Sequence, residues 1–219
     1  MNKSALVLSQ LKKQKLLPLF FHPEEVVSIA VLKTLYGAGI RLVEYTNRGK
    51  EAVANFKALI LERDRSMPGL FIGAGTIRSA ADATLFTGAG ADFIVAPCIL
   101  PEIGKIAGEK GLLWIPGCMT ATEIALGAQH GAELIKIFPG NLLGPSYISA
   151  IREIFPELLF MPTGGVELTP ENIGAWFRSG VTAVGLGSKL ISKELLENKD
   201  YAKLAVLAKK ALEIVQTLN

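Results

Sequence analysis

The chain has 219 residues, half of them hydrophobic, with 23 Lys and Arg against 20 Asp and Glu. That length suits one domain with a sizeable core, and a net charge of +3 is too small for a nucleic-acid-binding face while still suiting an anionic small molecule. Two cysteines without a CxxC pair and two histidines outside any ligand cluster argue against a disulfide framework and against a metal-dependent mechanism.

In chain order, residues 2–15 read as a helix, with Ala5, Leu8 and Leu11 at helical spacing. It stands ahead of the first strand and would close the N-terminal mouth of a barrel. Lys3, Lys12, Lys13 and Lys15 leave no apolar signal-peptide core there, and no later run approaches the ~18 apolar residues of a membrane span. The expectation is therefore a cytoplasmic protein with no membrane partner, its thiols Cys98 and Cys118 reduced and structural.

Apolar strands follow at 16–21, 40–44, 70–75, 91–95, 112–117, around Lys136, at 158–162 and at 181–185. Helical periodicity fills the gaps, as in Val26, Ile29, Ala30 and Lys33, or Ile148, Ile151, Ile154 and Phe155. Gly39, Gly90, Gly131 and Gly180 each sit between a helical run and a strand, where a left-handed helix cap is wanted. Pro23, Thr120 and Pro170 mark helix starts. Eight strands alternating with helices predict a (β/α)8 TIM barrel over about 16–192, in a single domain spanning 1–219; a doubly wound open sheet is the alternative. Residues 200–217 add an amphipathic terminal helix that packs on the barrel wall.

In such barrels chemistry gathers at the C-terminal strand ends. Lys136 lies in Leu134-Ile135-Lys136-Ile137-Phe138, just before Pro139-Gly140. A desolvated amine at a buried strand end favours the neutral form, which adds to ketones; the plainer reading is a lysine whose stem is buried and whose head reaches water. Strand parity puts Lys136 and Phe138 on the inner face if Ile135 and Ile137 face the helices, and by the same rule Glu44 points inward. The pair is either a structural ion pair or an amine with its acid/base partner. Thr163-Gly164-Gly165 and Gly187-Ser188 end neighbouring strands and suit a phosphate, since glycine lets backbone N–H groups approach an oxyanion. Arg48 is placed to fork a carboxylate and Thr76 to donate to the same anion, unless they are a solvated arginine and a helix-starting threonine.

Taken in order, Glu44-x-Thr46-x-Arg48, Gly73-Ala74-Gly75-Thr76, Pro116-Gly117 with Thr120 and Glu123, Lys136-x-Phe138-Pro139 and Pro162-Thr163-Gly164-Gly165 resemble the 2-keto-3-deoxy-6-phosphogluconate (KDPG) / 4-hydroxy-2-oxoglutarate (KHG) aldolase family, the small class I aldolases. The resemblance covers about residues 16–192. It implies a homotrimeric (β/α)8 barrel that needs no metal or other cofactor and forms a Schiff base between pyruvate and Lys136, with Glu44 as proton shuttle. It also implies that Arg48 and Thr76 hold the pyruvate carboxylate, that Thr163 lies beside the imine and Phe138 over the substrate, and that Gly164, Gly165, Gly187 and Ser188 cradle the phosphate. Ala96-Pro97-Cys98 stands where well-known members have Ser-Pro-Gly, Asn47 replaces a usual Leu, and Gly140-Asn141 replaces a frequent Ala-Glu; the resemblance implies that these positions, Pro97 included, ring the mouth that would meet the aldehyde half of the substrate. The expected substrate is a keto-acid phosphate, KDPG first, then its galactonate epimer or KHG. Alternatives are a phosphate-binding barrel without covalent catalysis, such as an epimerase or a thiamine-phosphate-synthase-like transferase, and a noncatalytic metabolite-binding barrel.

Overall fold

The computed structural model describes residues 2–218; Met1 and Asn219, the ends of the expected domain, lie outside the described residues. Strands are β1 (Leu16–Phe20), β2 (Leu42–Thr46), β3 (Phe71–Gly75), β4 (Phe93–Val95), β5 (Leu113–Ile115), β6 (Gly117–Cys118), β7 (Leu134–Ile137), β8 (Leu159–Pro162) and β9 (Val184–Leu186). Helices are α1 (Lys3–Gln14), α2 (Glu25–Gly37), α3 (Ala52–Ser66), α4 (Ala80–Gly88), α5 (Pro101–Glu109), α6 (Ala121–Gln129), α7 (Gly140–Ile154), α8 (Pro170–Arg178), α9 (Lys193–Glu197) and α10 (Tyr201–Gln216).

All strand pairs are parallel, in the orders β5-β4-β3-β2-β1-β9 and β6-β7-β8. Only Pro116 separates β5 from β6, and a parallel bridge between Thr163 and Gly185 joins the end of β8 to β9. The result is a curled parallel sheet wrapped by helices. The expected fifth strand, 112–117, is split because Pro116 has no N–H to give the ladder; its carbonyl instead accepts from Lys136 N at 2.9 Å.

Two apolar layers follow from strand parity. Val43, Tyr45, Ile135 and Ile137 pack outward against the helices, whereas Leu17, Leu42, Phe93, Val95, Leu113, Leu134 and Met161 fill the interior. Val7, Leu8 and Leu11 of α1 join that interior cluster, so α1 seals the N-terminal end of the curled sheet. Gln14 fixes this helix: its buried amide donates to Leu16 O (2.6 Å) and Leu42 O (2.9 Å), and its Oε1 accepts from Arg41 N (2.6 Å). Lys3 Nζ adds an ion pair with Asp92 Oδ1 at 3.0 Å.

The four glycines expected as caps have φ of +104° (Gly39), +96° (Gly90), +82° (Gly131) and +91° (Gly180). Thr120 caps α6 in a reciprocal box with Glu123, whose Oε2 accepts from Met119 N at 2.7 Å and Thr120 N at 2.8 Å. Desolvation alone would raise the Glu123 carboxyl, and these hydrogen bonds outweigh it and hold it below the ordinary range.

Three helix faces depart from expectation. In α2, Val27, Val31, Leu32 and Leu35 are buried and Val26 is 75% exposed, because the helix is apolar almost all round and its phase is set by packing. In α7, Ile148 and Ile151 are buried while Ile154, in the last turn, faces solvent. Ala5 of α1 is likewise exposed. No helix among the described residues is long and apolar enough to cross a membrane.

Candidate active site

Glu44 and Lys136 come from β2 and β7, which lie in different sheets and face one another across the interior. The Lys136 side chain is 7% exposed and the Glu44 side chain 1%, and Nζ lies 4.0 Å from Oε1, at the outer limit of an ion pair. Neither Glu44 oxygen has a hydrogen-bond partner among the described residues, nor does the buried Oγ1 of Thr163. Buried polar atoms left unpaired are costly in a structural core, and a substrate with hydroxyl and oxo groups relieves that cost. Lys136 Nζ also stands 5.2 Å from the centroid of the Phe138 ring.

Glycines give these groups their room. A Cβ at Gly75 would fall 1.9 Å from Glu44 Oε1, and one at Gly185 would fall 2.4 Å from Thr163 Oγ1. Gly140 N donates to Thr163 O at 2.8 Å, and a Cβ at Gly140 would lie 2.5 Å from Gly164 O. The loop after β7 therefore packs directly on the Gly164-Gly165 turn, where both φ values are positive.

A cavity of about 230 Å³ is lined by Arg48, Phe138, Thr163, Gly164, Gly165, Gly187 and Ser188, seven of the residues singled out by the sequence. Arg48 also borders a second cavity, about 390 Å³, with Asn47, Gly49, Thr76 and Arg78. Thr76 sits there at φ +57°, a left-handed conformation that strains a β-branched residue by roughly 1–3 kcal/mol. Asn47 N donates to Gly75 O at 2.8 Å, which ties the Arg48 loop to the end of β3. No carboxylate pairs with Arg48 among the described residues, so its guanidinium is available to an anion.

Pro97 lines neither cavity: its carbonyl lies against Gly117, where an added Cβ would be 2.4 Å away. It shapes the wall beside Lys136, whose register partner is Gly117. Sequence reasoning missed Leu19, Val166 and Lys189, which line the smaller cavity; Lys189 adjoins the Gly187-Ser188 signal and was readable from it. Cys118 is buried, and desolvation, then Glu123 and Cys98, push its thiol up to about 12, while Cys98 is exposed. Among the described residues, no group of three or more His, Cys, Asp or Glu could hold a metal ion.

This arrangement sets an enclosed amine beside a carboxylate, near a rim of glycines and the Arg48 guanidinium, and an amine so paired is suited to carbonyl chemistry through an imine. The chain is 32% identical over 188 residues to the KHG/KDPG aldolase of Escherichia coli K12, covering 85% of each protein. It is 30% identical over 214 residues to the 2-dehydro-3-deoxy-phosphogluconate aldolase of Pseudomonas aeruginosa, covering 97% of this chain and 94% of that one. The crystal structure of KDPG aldolase from Legionella pneumophila, with pyruvate captured at low pH as a covalent carbinolamine intermediate, superimposes with a TM-score of 0.85 at 25% identity, over 94% of this chain and 97% of that one. The family model for KDPG and KHG aldolase matches residues 7–207, and the chain belongs to that family of lyases.

Proposed function

We propose that this chain is a Schiff-base aldolase that cleaves KDPG to pyruvate and glyceraldehyde 3-phosphate, and KHG to pyruvate and glyoxylate. The observation that carries the reading is the enclosed Lys136 amine 4.0 Å from a Glu44 carboxylate that has no other partner among the described residues. The pyruvate carbinolamine in the Legionella pneumophila relative supports the same chemistry.

Lys136 Nζ adds to the C2 ketone, and loss of water gives an iminium. Glu44 takes the C4 hydroxyl proton, the C3–C4 bond breaks, the aldehyde leaves, and the bond's electron pair enters the iminium to give an enamine. Glu44 returns its proton to C3, and water hydrolyses the imine to free pyruvate and the amine. In this reading Arg48 and Thr76 hold the pyruvate carboxylate, Thr163 donates its unpaired hydroxyl beside the imine, and Phe138 packs over the substrate. Gly164, Gly165, Gly187 and Ser188 cradle the phosphate, and Pro97 shapes the wall near the aldehyde half.

The split of one strand at Pro116 and the Thr163–Gly185 bridge support closure of both sheets into one (β/α)8 barrel, a single domain with α1 as an added N-terminal helix. A homotrimer is inferred from the family resemblance, and a cytoplasmic location from the sequence reading of its lysine-rich start and cysteine usage. The test is pyruvate release from KDPG, coupled to lactate dehydrogenase, in the presence of a chelator. Turnover is expected in the native chain and only background in Lys136→Met; a variant as fast as the native chain removes the proposal.

A further inference from the structure

We propose that Lys189 reads the substrate's phosphate and that Glu167 holds this lysine until the phosphate arrives; the identity of the phosphorylated ligand rests on the aldolase reading above. The smaller cavity is bordered by the Gly164-Gly165 turn on one side and by Gly187, Ser188 and Lys189 on the other. The turn and Ser188 offer only neutral donors. A phosphate monoester brings a charge of about −1.5 to −2, which neutral donors bind but do not balance. Two cations border this cavity, Arg48 and Lys189. Arg48 is shared with the Thr76 cavity and is assigned to the carboxylate, so Lys189 is the cation left for the phosphate.

Lys189 Nζ lies 3.1 Å from Glu167 Oε1, with the lysine side chain 57% and the glutamate side chain 44% exposed. Water screens such a pair, so it is weak and readily exchanged. The Glu167 backbone is anchored: its N–H donates to Asn172 Oδ1 at 2.8 Å, and Asn172 Nδ2 donates to Gly165 O at 3.3 Å. Lys189 carries its ammonium on a long four-carbon stem that can turn between the two anions, and a dianion in the cavity is a stronger partner than one carboxylate.

The experiment compares kcat/KM for KDPG with kcat/KM for 2-keto-3-deoxygluconate, the same carbon chain without phosphate. Lys189→Met is expected to lower the first about tenfold, through KM, and leave the second within about twofold, a loss typical of one exposed charge-assisted hydrogen bond. Lys189→Arg is expected to restore most of the preference, and Glu167→Gln to lower KM for the phosphorylated substrate about two- to threefold. An equal effect of Lys189→Met on both substrates, or none on either, overturns the assignment. Calorimetry with glycerol 3-phosphate reads the same contact without turnover: binding about tenfold weaker in Lys189→Met supports the assignment, and unchanged or absent binding overturns it. A chain that binds glycerol 3-phosphate through Lys189 but forms no imine at Lys136 keeps this assignment and loses the aldolase reading.

Discussion

Replacing Gly75 by alanine drives a methyl group into the Glu44 carboxylate. The new Cβ would lie 1.9 Å from Oε1 and 2.5 Å from Cγ and Cδ, whereas ordinary contact begins near 3.4 Å, so the carboxylate has to retreat by about 1.5 Å. Glu44 is fully buried and therefore cannot swing into water. A shift beyond ~1 Å in a reacting group costs roughly 100-fold in rate, and overpacking of this kind costs roughly 1–3 kcal/mol of stability. Steady-state pyruvate release should accordingly show kcat about 100-fold down, while pyruvate still forms an imine because Lys136 is untouched. Gly73→Ala is the control on the same strand face: its Cβ would meet the Phe93 ring at 2.1 Å, deep in the interior cluster. It should destabilise the fold without separating imine formation from cleavage. A Gly75→Ala protein with kcat within about threefold of the native chain would refute the reasoning, since the displacement is far outside what carboxylate proton transfer tolerates.

Glu44→Gln removes the proton carrier and keeps the shape, so cleavage should fall by roughly 10²- to 10⁴-fold with imine formation retained; near-native cleavage contradicts the shuttle role. Between α2 and α3, where Glu62 is largely buried, hydrogen bonds from Lys33 and then Ser66 hold its carboxyl down to about 2 from 4.5. Its folded value is depressed, so its contribution to stability is fully present above pH 4.5 and is lost as pH falls towards 2. The gap in melting temperature between the native chain and Glu62→Gln should be open at pH 7 and narrow steadily below pH 4.5; a gap independent of pH contradicts the sign.

Much of the site was legible because a period of two is unambiguous where a charged residue interrupts an apolar strand. Glu44 and Lys136 each stand among such residues, and once their apolar neighbours are given to the helices, parity turns both inward. The phase of α2 was not legible: Val26, Val27, Ile29, Ala30, Val31 and Leu32 leave no polar stripe, and contacts with the sheet choose the buried face. The break at Pro116 follows from a missing N–H, yet its use, freeing a carbonyl for Lys136 N, depends on the neighbouring strand. The fit of Gly75 to Glu44 and the wall role of Pro97 are packing relations between separate loops and strands. No local pattern in the chain encodes them.

The central claim is that Lys136 becomes covalently bound to substrate. Incubation with pyruvate and borohydride, followed by digestion and mass analysis, measures this directly. A reduced pyruvate adduct is expected on the peptide carrying Lys136 and absent from Lys136→Met. An unmodified Lys136, with catalysis intact or not, contradicts the account and leaves its amine as a structural partner of Glu44.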